Sequence, residues 1–339
     1  MTRLWMSGLE AGSLDVFPRV DSAAVISAAQ ARTGAYSLHI PSADDRAWLT
    51  LRTGYTELFF RIGLYMTGGS NDRTFCTLLD NLGAKLLTFQ VRQADSVFLV
   101  RLGDHNDALI VSGGVVPTNA WCCIEIRVLI DNAVGVIQVR IDGVQVIDFS
   151  GDTQVDADDE VLVIVWGASY SDGGYVCYGY YDDLVINSIH GIRNNSWPGL
   201  GGIVGLVPTG AGNYTQLIPS AGANWAAVNE VPPDDDAAYV EQATTDLKDT
   251  YTMQDLVITP GQVANIAAVQ WLCRAYNTVS QGGDFARLLR LYGVDHQGDD
   301  VPYDRSYDYH PEVLGTSPDT GQDWTEDEVN AIEAGVVVR

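Results

Sequence analysis

Residues 136–149 read Val-Ile-Gln-Val-Arg-Ile-Asp-Gly-Val-Gln-Val-Ile-Asp-Phe. Apolar and polar side chains alternate on both sides of Asp142-Gly143. That dipeptide suits a two-residue turn with positive φ, so the stretch predicts a β-hairpin. Just upstream, residues 122–130 read Cys-Cys-Ile-Glu-Ile-Arg-Val-Leu-Ile. Ile124, Ile126 and Val128 share one face, and Glu125 and Arg127 the other, which is the period of a half-buried strand. The same reading outward predicts strands at 36–40, 47–52, 56–66, 73–80, 85–92, 96–102, 108–112, 161–167 and 175–187. Clusters of Gly, Asn and Asp separate them, and no sustained 3.6-residue period interrupts the first 190 residues. Many short strands with closely spaced turns make an antiparallel sandwich or barrel.

The turn-rich stretch Asn194-Asn195-Ser196-Trp197-Pro198-Gly199, followed by Gly201-Gly202, marks a boundary. The expected organisation is a sandwich over 1–190, a linker over 191–202 and a second, mostly β domain over 203–339. In the second domain, 203–207 is expected to be a buried strand. Residues 208–236 are expected to form a long, Pro-rich loop that ends in Asp234-Asp235-Asp236. Residues 263–276 and 284–294 are expected to be two long strands joined at Gly282-Gly283. Thr325-Glu326-Asp327-Glu328 is a capping box that predicts a helix near 325–334. Gly335 is expected to end that helix, and Val336-Val337-Val338 to resume as a strand. The fold class is therefore all-β, with one short C-terminal helix.

Nineteen Lys and Arg stand against 44 Asp and Glu, a formal net charge of −25. Such a chain is repelled by nucleic acid and by anionic membrane surfaces, which call for basic patches. Its partners are expected to be neutral, basic, cationic or other protein copies. The N-terminus lacks the apolar run of a secretory leader, and no stretch is long and apolar enough to span a bilayer. Synthesis in a cytoplasm is expected, without membrane insertion. The cysteines, Cys76, Cys122, Cys123, Cys177 and Cys273, fit no zinc spacing and are expected to be reduced and buried.

Catalytic signals are sparse. A sandwich that hydrolyses polysaccharide needs carboxylates facing each other across a cleft. The Glu-x-Asp-x-x-Glu strand of laminarinase-like glycosidases is missing here. Asp158-Asp159-Glu160 cannot share one strand face and reads as solvated charge. The five histidines lie far apart in sequence, and the Gly-x-Gly patterns lack a following helix and Lys. The expectation is a chain that is not an enzyme. Glu10 near the first strand and Asp182-Asp183 at the start of the last strand of the sandwich are candidate calcium ligands, because hard cations take carboxylate oxygen. Trp166, Tyr170 and Tyr175, in an aromatic-rich stretch, are candidate glycan or protein contacts. Pro232, Pro233, Asp234, Asp235 and Asp236 are candidate interface residues, since a long loop of this kind is usually functional or pinned by another chain.

Several short motifs carry a resemblance. Ser7-Gly8-Leu9-Glu10, Thr33-Gly34-Ala35-Tyr36-Ser37-Leu38, Ile141-Asp142-Gly143-Val144 and Tyr181-Asp182-Asp183-Leu184-Val185-Ile186 resemble the concanavalin A-like jelly roll of the laminin-G type. In that family the positions of Glu10 and Asp183 can hold a structural calcium, so the resemblance implies such a site here. Residues 181–339 resemble a segment of tailed-bacteriophage structural proteins. The matching residues are Asn194–Gly199, Pro208-Thr209-Gly210-Ala211-Gly212, Pro219–Asn224, Val231–Asp236 and Trp324–Ala331. This resemblance implies a virion component of the tail, fibre or baseplate, or a capsid decoration. It would assemble with itself, a trimer being favoured, and with other virion proteins. A host-glycan-binding adhesin module is the alternative, and a glycan depolymerase a more distant one.

Overall fold

The computed structural model describes residues 3–21, 23–42, 45–67, 72–155, 160–167, 178–258, 265–278, 283–303 and 305–339. The chain divides into two compact units, Met1–Val204 and Gly205–Arg339.

Unit 1 is an antiparallel jelly-roll sandwich. Its strands in chain order are β1 (Arg3–Ser7), β2 (Arg19–Asp21), β3 (Val25–Ser27), β4 (Ser37–Ile40), β5 (Arg46–Tyr55), β6 (Glu57–Met66), β7 (Arg73–Leu79) and β8 (Lys85–Val91). They continue as β9 (Val97–Leu102), β10 (Leu109–Val115), β11 (Trp121–Leu129), β12 (Gly135–Ile141), β13 (Val144–Gly151), β14 (Val161–Gly167) and β15 (Gly179–Ser188). One sheet has eight strands, in the order β13-β12-β11-β6-β15-β4-β3, with β1 also paired to β15. The other has seven, in the order β10-β9-β8-β7-β14-β5-β2. The predicted hairpin is β12–β13. Asp142 and Gly143 at its tip take φ of 49° and 79°, the left-handed pair a tight hairpin turn requires.

The core lies between the two sheets. Ile124, Ile126 and Val128 of β11 face inward with Ile141, Val139 and Ile137 of β12, their register partners. Trp5, Phe17 and Trp166 meet at ring-centroid distances of 5.6–5.7 Å, and Phe60, Phe75, Phe89 and Phe98 form a second aromatic group. Burying each such ring is worth roughly 1.5–3 kcal/mol. This corrects the reading of Trp166 as a ligand contact. It is 1% exposed, because its place on β14 opposite Cys76 and Ala47 turns it inward. Tyr170, Tyr175 and Cys177 lie outside the described residues. Cys76, Cys122 and Cys123 are buried and Cys273 is half-buried, none of the four in a disulfide.

Unit 2 contains β16 (Pro208–Thr215), β17 (Ile218–Pro219), β18 (Val240–Glu241), β19 (Lys248–Met253), β20 (Val269–Ala275), β21 (Gly283–Leu291), β22 (Val294–Tyr303), β23 (Asp308–Leu314), helix α1 (Glu326–Asn330) and β24 (Glu333–Val338). A five-stranded sheet runs β16-β19-β24-β21-β22. Trp271, Phe285, Leu289, Leu291, Trp324, Val329 and Ile332 form its core.

Four expectations change here. Residues 203–207 form no strand; the Ile203 N–H donates to the Asp183 carboxylate instead of joining a ladder. The expected loop at 208–236 begins with β16, an edge strand of the sheet. β20 and β21 are not a hairpin: β20 pairs with β23, while β21 pairs with β22 and β24. Helix α1 keeps its capping box on Thr325 and Glu328 but ends at Asn330. Gly335 therefore lies within β24, where a Cβ would stand 1.9 Å from the Asp249 carbonyl oxygen.

Candidate functional site

The segment expected to be a linker is a strap on the outer face of the eight-stranded sheet. A bulge in β15 between Asp182 and Val185, with Asp183 at φ 52°, breaks the strand alternation beside β6. Asp182 Oδ2 accepts from the Arg32 and Thr33 backbone N–H groups, at 2.7 and 3.2 Å. Asp183 Oδ1 accepts from Thr33 Oγ1 and Ile203 N, both at 2.6 Å, and its Oδ2 accepts from Arg32 Nη1 at 2.5 Å. Arg32 also donates to the Leu200 and Gly201 carbonyls. Arg61 on β6 donates to the Asp183 and Gly199 carbonyls, and Glu125 on β11 accepts from Gly199 N at 2.6 Å. Glycines allow these close approaches. A Cβ on Gly63 would meet Arg32 Cδ at 2.8 Å, one on Gly34 the Glu10 carboxylate at 2.3 Å, and one on Gly202 Thr33 at 2.3 Å.

The electrostatics follow from burial. Burial and then the neighbouring Asp183 push the Asp182 carboxyl up to about 7, against three backbone N–H donors that pull it down. Burial also raises Glu10. Burial alone would lower Arg32, but Asp183, Cys123 and Asp182 together more than offset it and hold the guanidinium above its usual value. Arg61 is lowered, chiefly by burial.

The structure brings Glu10 and Asp183 to the same end of the sandwich, but their oxygens do not fit calcium. Glu10 accepts from Ala35 N and Tyr36 N, and both Asp183 oxygens face N–H or O–H donors. A hard cation takes 6–8 oxygen ligands. Here Asp183 already faces three donors, one of them a guanidinium, and Glu10 two backbone N–H groups. Among the described residues no group of three or more His, Cys, Asp or Glu could hold a metal ion.

The acidic run at 234–236 is turned onto its own chain. Asp235 makes a bidentate pair with Arg274 at 2.6 and 3.0 Å, which holds its carboxyl below the usual range. Asp236 accepts from the Tyr307 hydroxyl at 2.8 Å, and Asp234 from Ala238 N. The Val231–Pro232 peptide is cis, and Pro233 follows it.

A second group sits on the outer face of the seven-stranded sheet. Register pairs Arg101 with Thr88, Thr88 with Thr77, Thr77 with Val165, Val165 with Trp48 and Trp48 with Arg19. These positions alternate with core residues Phe89, Cys76, Ile164 and Ala47, so they form one transverse row facing away from the core. A parallel row holds Gln90 opposite Thr74, and Arg46 opposite Asp21. Arg101 Nε donates to Gln90 Oε1 at 2.6 Å, and Gln90 Nε2 donates to Thr74 Oγ1 at 3.1 Å. At the other end, Arg19 lies 4.5 Å over the Trp48 ring, whose Nε1 donates to Asp21. Thr74, Thr77, Thr88 and Gln90 are fully buried, while Trp48 and Arg101 are part-exposed and Arg19 is exposed. Thr77 Oγ1 has no hydrogen-bond partner among the described residues. This row was missed in the sequence, although alternation on β8 and β9 already places Thr88, Gln90 and Arg101 off the core side.

No protein-family model matches the sequence, and no curated protein sequence matches it. Solved structures do match in fold. An endo-β-1,4-glucuronan lyase from Trichoderma reesei is 14% identical, with a TM-score of 0.39, over 55% of this chain and 96% of that one. Domain 4 of an extracellular arabinanase from Geobacillus stearothermophilus, solved with arabinotriose, is 14% identical, with a TM-score of 0.40, over 55% and 92%. A carbohydrate-binding module from Bacillus subtilis is 8% identical, with a TM-score of 0.34, over 50% and 94%. The expectation of a chain that is not an enzyme is corrected by this finding. Polysaccharide lyases stand among the matched sandwiches, so a missing laminarinase-type strand was too narrow a ground for excluding catalysis. The likeness is one of fold and carries no activity over to this chain.

Proposed function

We propose that this chain is a component of a bacteriophage particle whose first unit binds a glycan on the outer face of the seven-stranded sheet. The observation that carries the glycan reading is the transverse row from Arg101 to Arg19. Its reachable members are Arg101 at one end, held by Gln90, and Trp48 with Arg19 at the other, held by Asp21; the threonines and Val165 between them are a buried floor, and an aromatic ring suits the apolar face of a sugar. Prepaid ordering of this kind raises affinity without new contacts. The glycan-directed proteins of similar fold are in keeping with this reading. The particle reading rests on the resemblance of residues 181–339 to tailed-phage structural proteins, and self-assembly, with a trimer favoured, belongs to it.

A glycan array probed with the full chain tests the first part. Retention on a defined set of glycans, lost on Trp48→Ala, supports it; no retention on any glycan sinks it. Incubating the retained polysaccharide with the protein, and following chain length and unsaturated product, separates binding from cleavage. Mass spectrometry of purified particles tests the second part, and absence of the chain there overturns it.

A further inference from the structure

We infer that Arg32 is the built-in cation of Asp183, the carboxylate that reaches the strap, and that it, rather than a divalent metal ion, closes the strap at 199–203. Three carboxylates gathered at one end of a sandwich need positive charge or hydrogen-bond donors to be stable when buried. Glu10 and Asp182 draw backbone N–H donors from residues 32–36, and the Arg32 guanidinium supplies the charge at Asp183. One Nη1 reaches Asp183 at 2.5 Å and the Gly201 carbonyl at 3.2 Å, while Nη2 reaches the Leu200 carbonyl at 2.8 Å. The same side chain thus neutralises the carboxylate and grips the strap backbone. A cation at Asp183 Oδ2 would have to displace that guanidinium.

The surroundings are shaped for that side chain. Gly63 on β6 leaves room for Arg32 Cδ, where any Cβ would stand 2.8 Å away. Thr33, the next residue, donates its hydroxyl to Asp183 at 2.6 Å and receives Ile203 N at 3.2 Å. Gly8 accommodates the Ile203 carbonyl, which would lie 2.8 Å from an added Cβ. Arg61 and Glu125 hold Gly199 from the sheet beneath. The strap is closed by charges carried on β6, β11, β15 and the 30–33 loop, all encoded in the chain. The closed strap is therefore independent of dissolved calcium, unlike a clasp whose cation exchanges with solvent.

The test has two arms on the full-length protein. In the first, thermal unfolding of the wild-type chain is followed in EDTA and in millimolar CaCl2, together with a calorimetric titration of CaCl2. The inference expects superimposable melts and no binding heat; a melt lowered by chelator, or saturable calcium binding, overturns it. In the second, limited proteolysis of Arg32→Gln and Arg32→Lys is mapped by mass spectrometry. Arg32→Gln is expected to open cleavage within 194–203 at least about tenfold faster, and Arg32→Lys to restore part of the protection. A strap equally protected in Arg32→Gln overturns the inference. Should that variant fail to fold, the wild-type chelator arm still decides.

Discussion

The Arg140 guanidinium on β12 lies 3.9 Å over the ring of Trp197, and the same ring meets Phe59 of β6 edge-on at 5.4 Å. Trp197 is the aromatic anchor of the strap, as Arg32 and Arg61 are its polar ones. An extended segment with few apolar side chains stays on a sheet face only if such anchors offset its ordering entropy.

Trp197→Ala is expected to destabilise unit 1 by about 1–3 kcal/mol, less than a fully buried ring would cost because this one is only half-buried. Urea unfolding read by tyrosine and tryptophan fluorescence measures it. An unchanged midpoint would mean that the stacked pair contributes nothing.

Trp48→Ala and Arg101→Ala remove the two reachable ends of the row on the seven-stranded sheet. Each is expected to weaken glycan affinity at least about tenfold, equivalent to about 1.4 kcal/mol. Melting temperatures should change little, since neither side chain belongs to the core. Affinity electrophoresis against the array-selected polysaccharide gives the answer, with Val144→Ala on the far sheet as the control; loss of binding by the control instead would assign the contact to the other sheet.

The Asp182 carboxyl, raised from 3.8 to about 7, gives a pH dependence of definite sign. Its folded value lies above its unfolded one, so its proton binds more tightly in the folded chain. The stability this linkage contributes is fully present below about pH 4 and is lost as pH rises through about 7. Unit 1 is thus expected to gain stability as pH falls from about 8 to about 6, where ordinary carboxylates contribute no change. Chemical unfolding across that range, with Asp182→Asn removing the effect, is the measurement; a flat profile for the wild-type chain contradicts the shift.

Gly335→Ala is expected to cost unit 2 about 3 kcal/mol or more, since the new Cβ would stand 1.9 Å from the Asp249 carbonyl oxygen in the centre of the five-stranded sheet. Thr325→Ala, which removes the helix cap, should cost only about 1 kcal/mol. Calorimetry of the two variants should rank them in that order. The reverse ranking would mean that the sheet shifts to relieve the contact.

What could be read from the amino-acid order alone was what is local. Period-2 alternation located β4 to β15 of unit 1 and missed β1 to β3, because a strand buried on one side needs an apolar residue at every second position and the three-residue β2 and β3 are too short to show it. Asp142-Gly143 specified its turn, and Thr325 with Glu328 its helix cap, because both depend on groups at most three residues apart. The tertiary structure decided which distant groups meet. Alternation does not name a partner strand, so β20 and β21 look joined in sequence yet lie in different sheets. It also does not say which face of β14 turns inward, and there Trp166 goes to the core. Arg32 meets Asp183 across a separation of 151 residues, and Gly199 meets Glu125 across 74. Two acidic residues suggested a metal; the fold brought Asp183 a guanidinium and Glu10 two backbone N–H groups. The physical reason is that a buried carboxylate must find a donor or a cation, and only the path of the chain determines which one stands beside it.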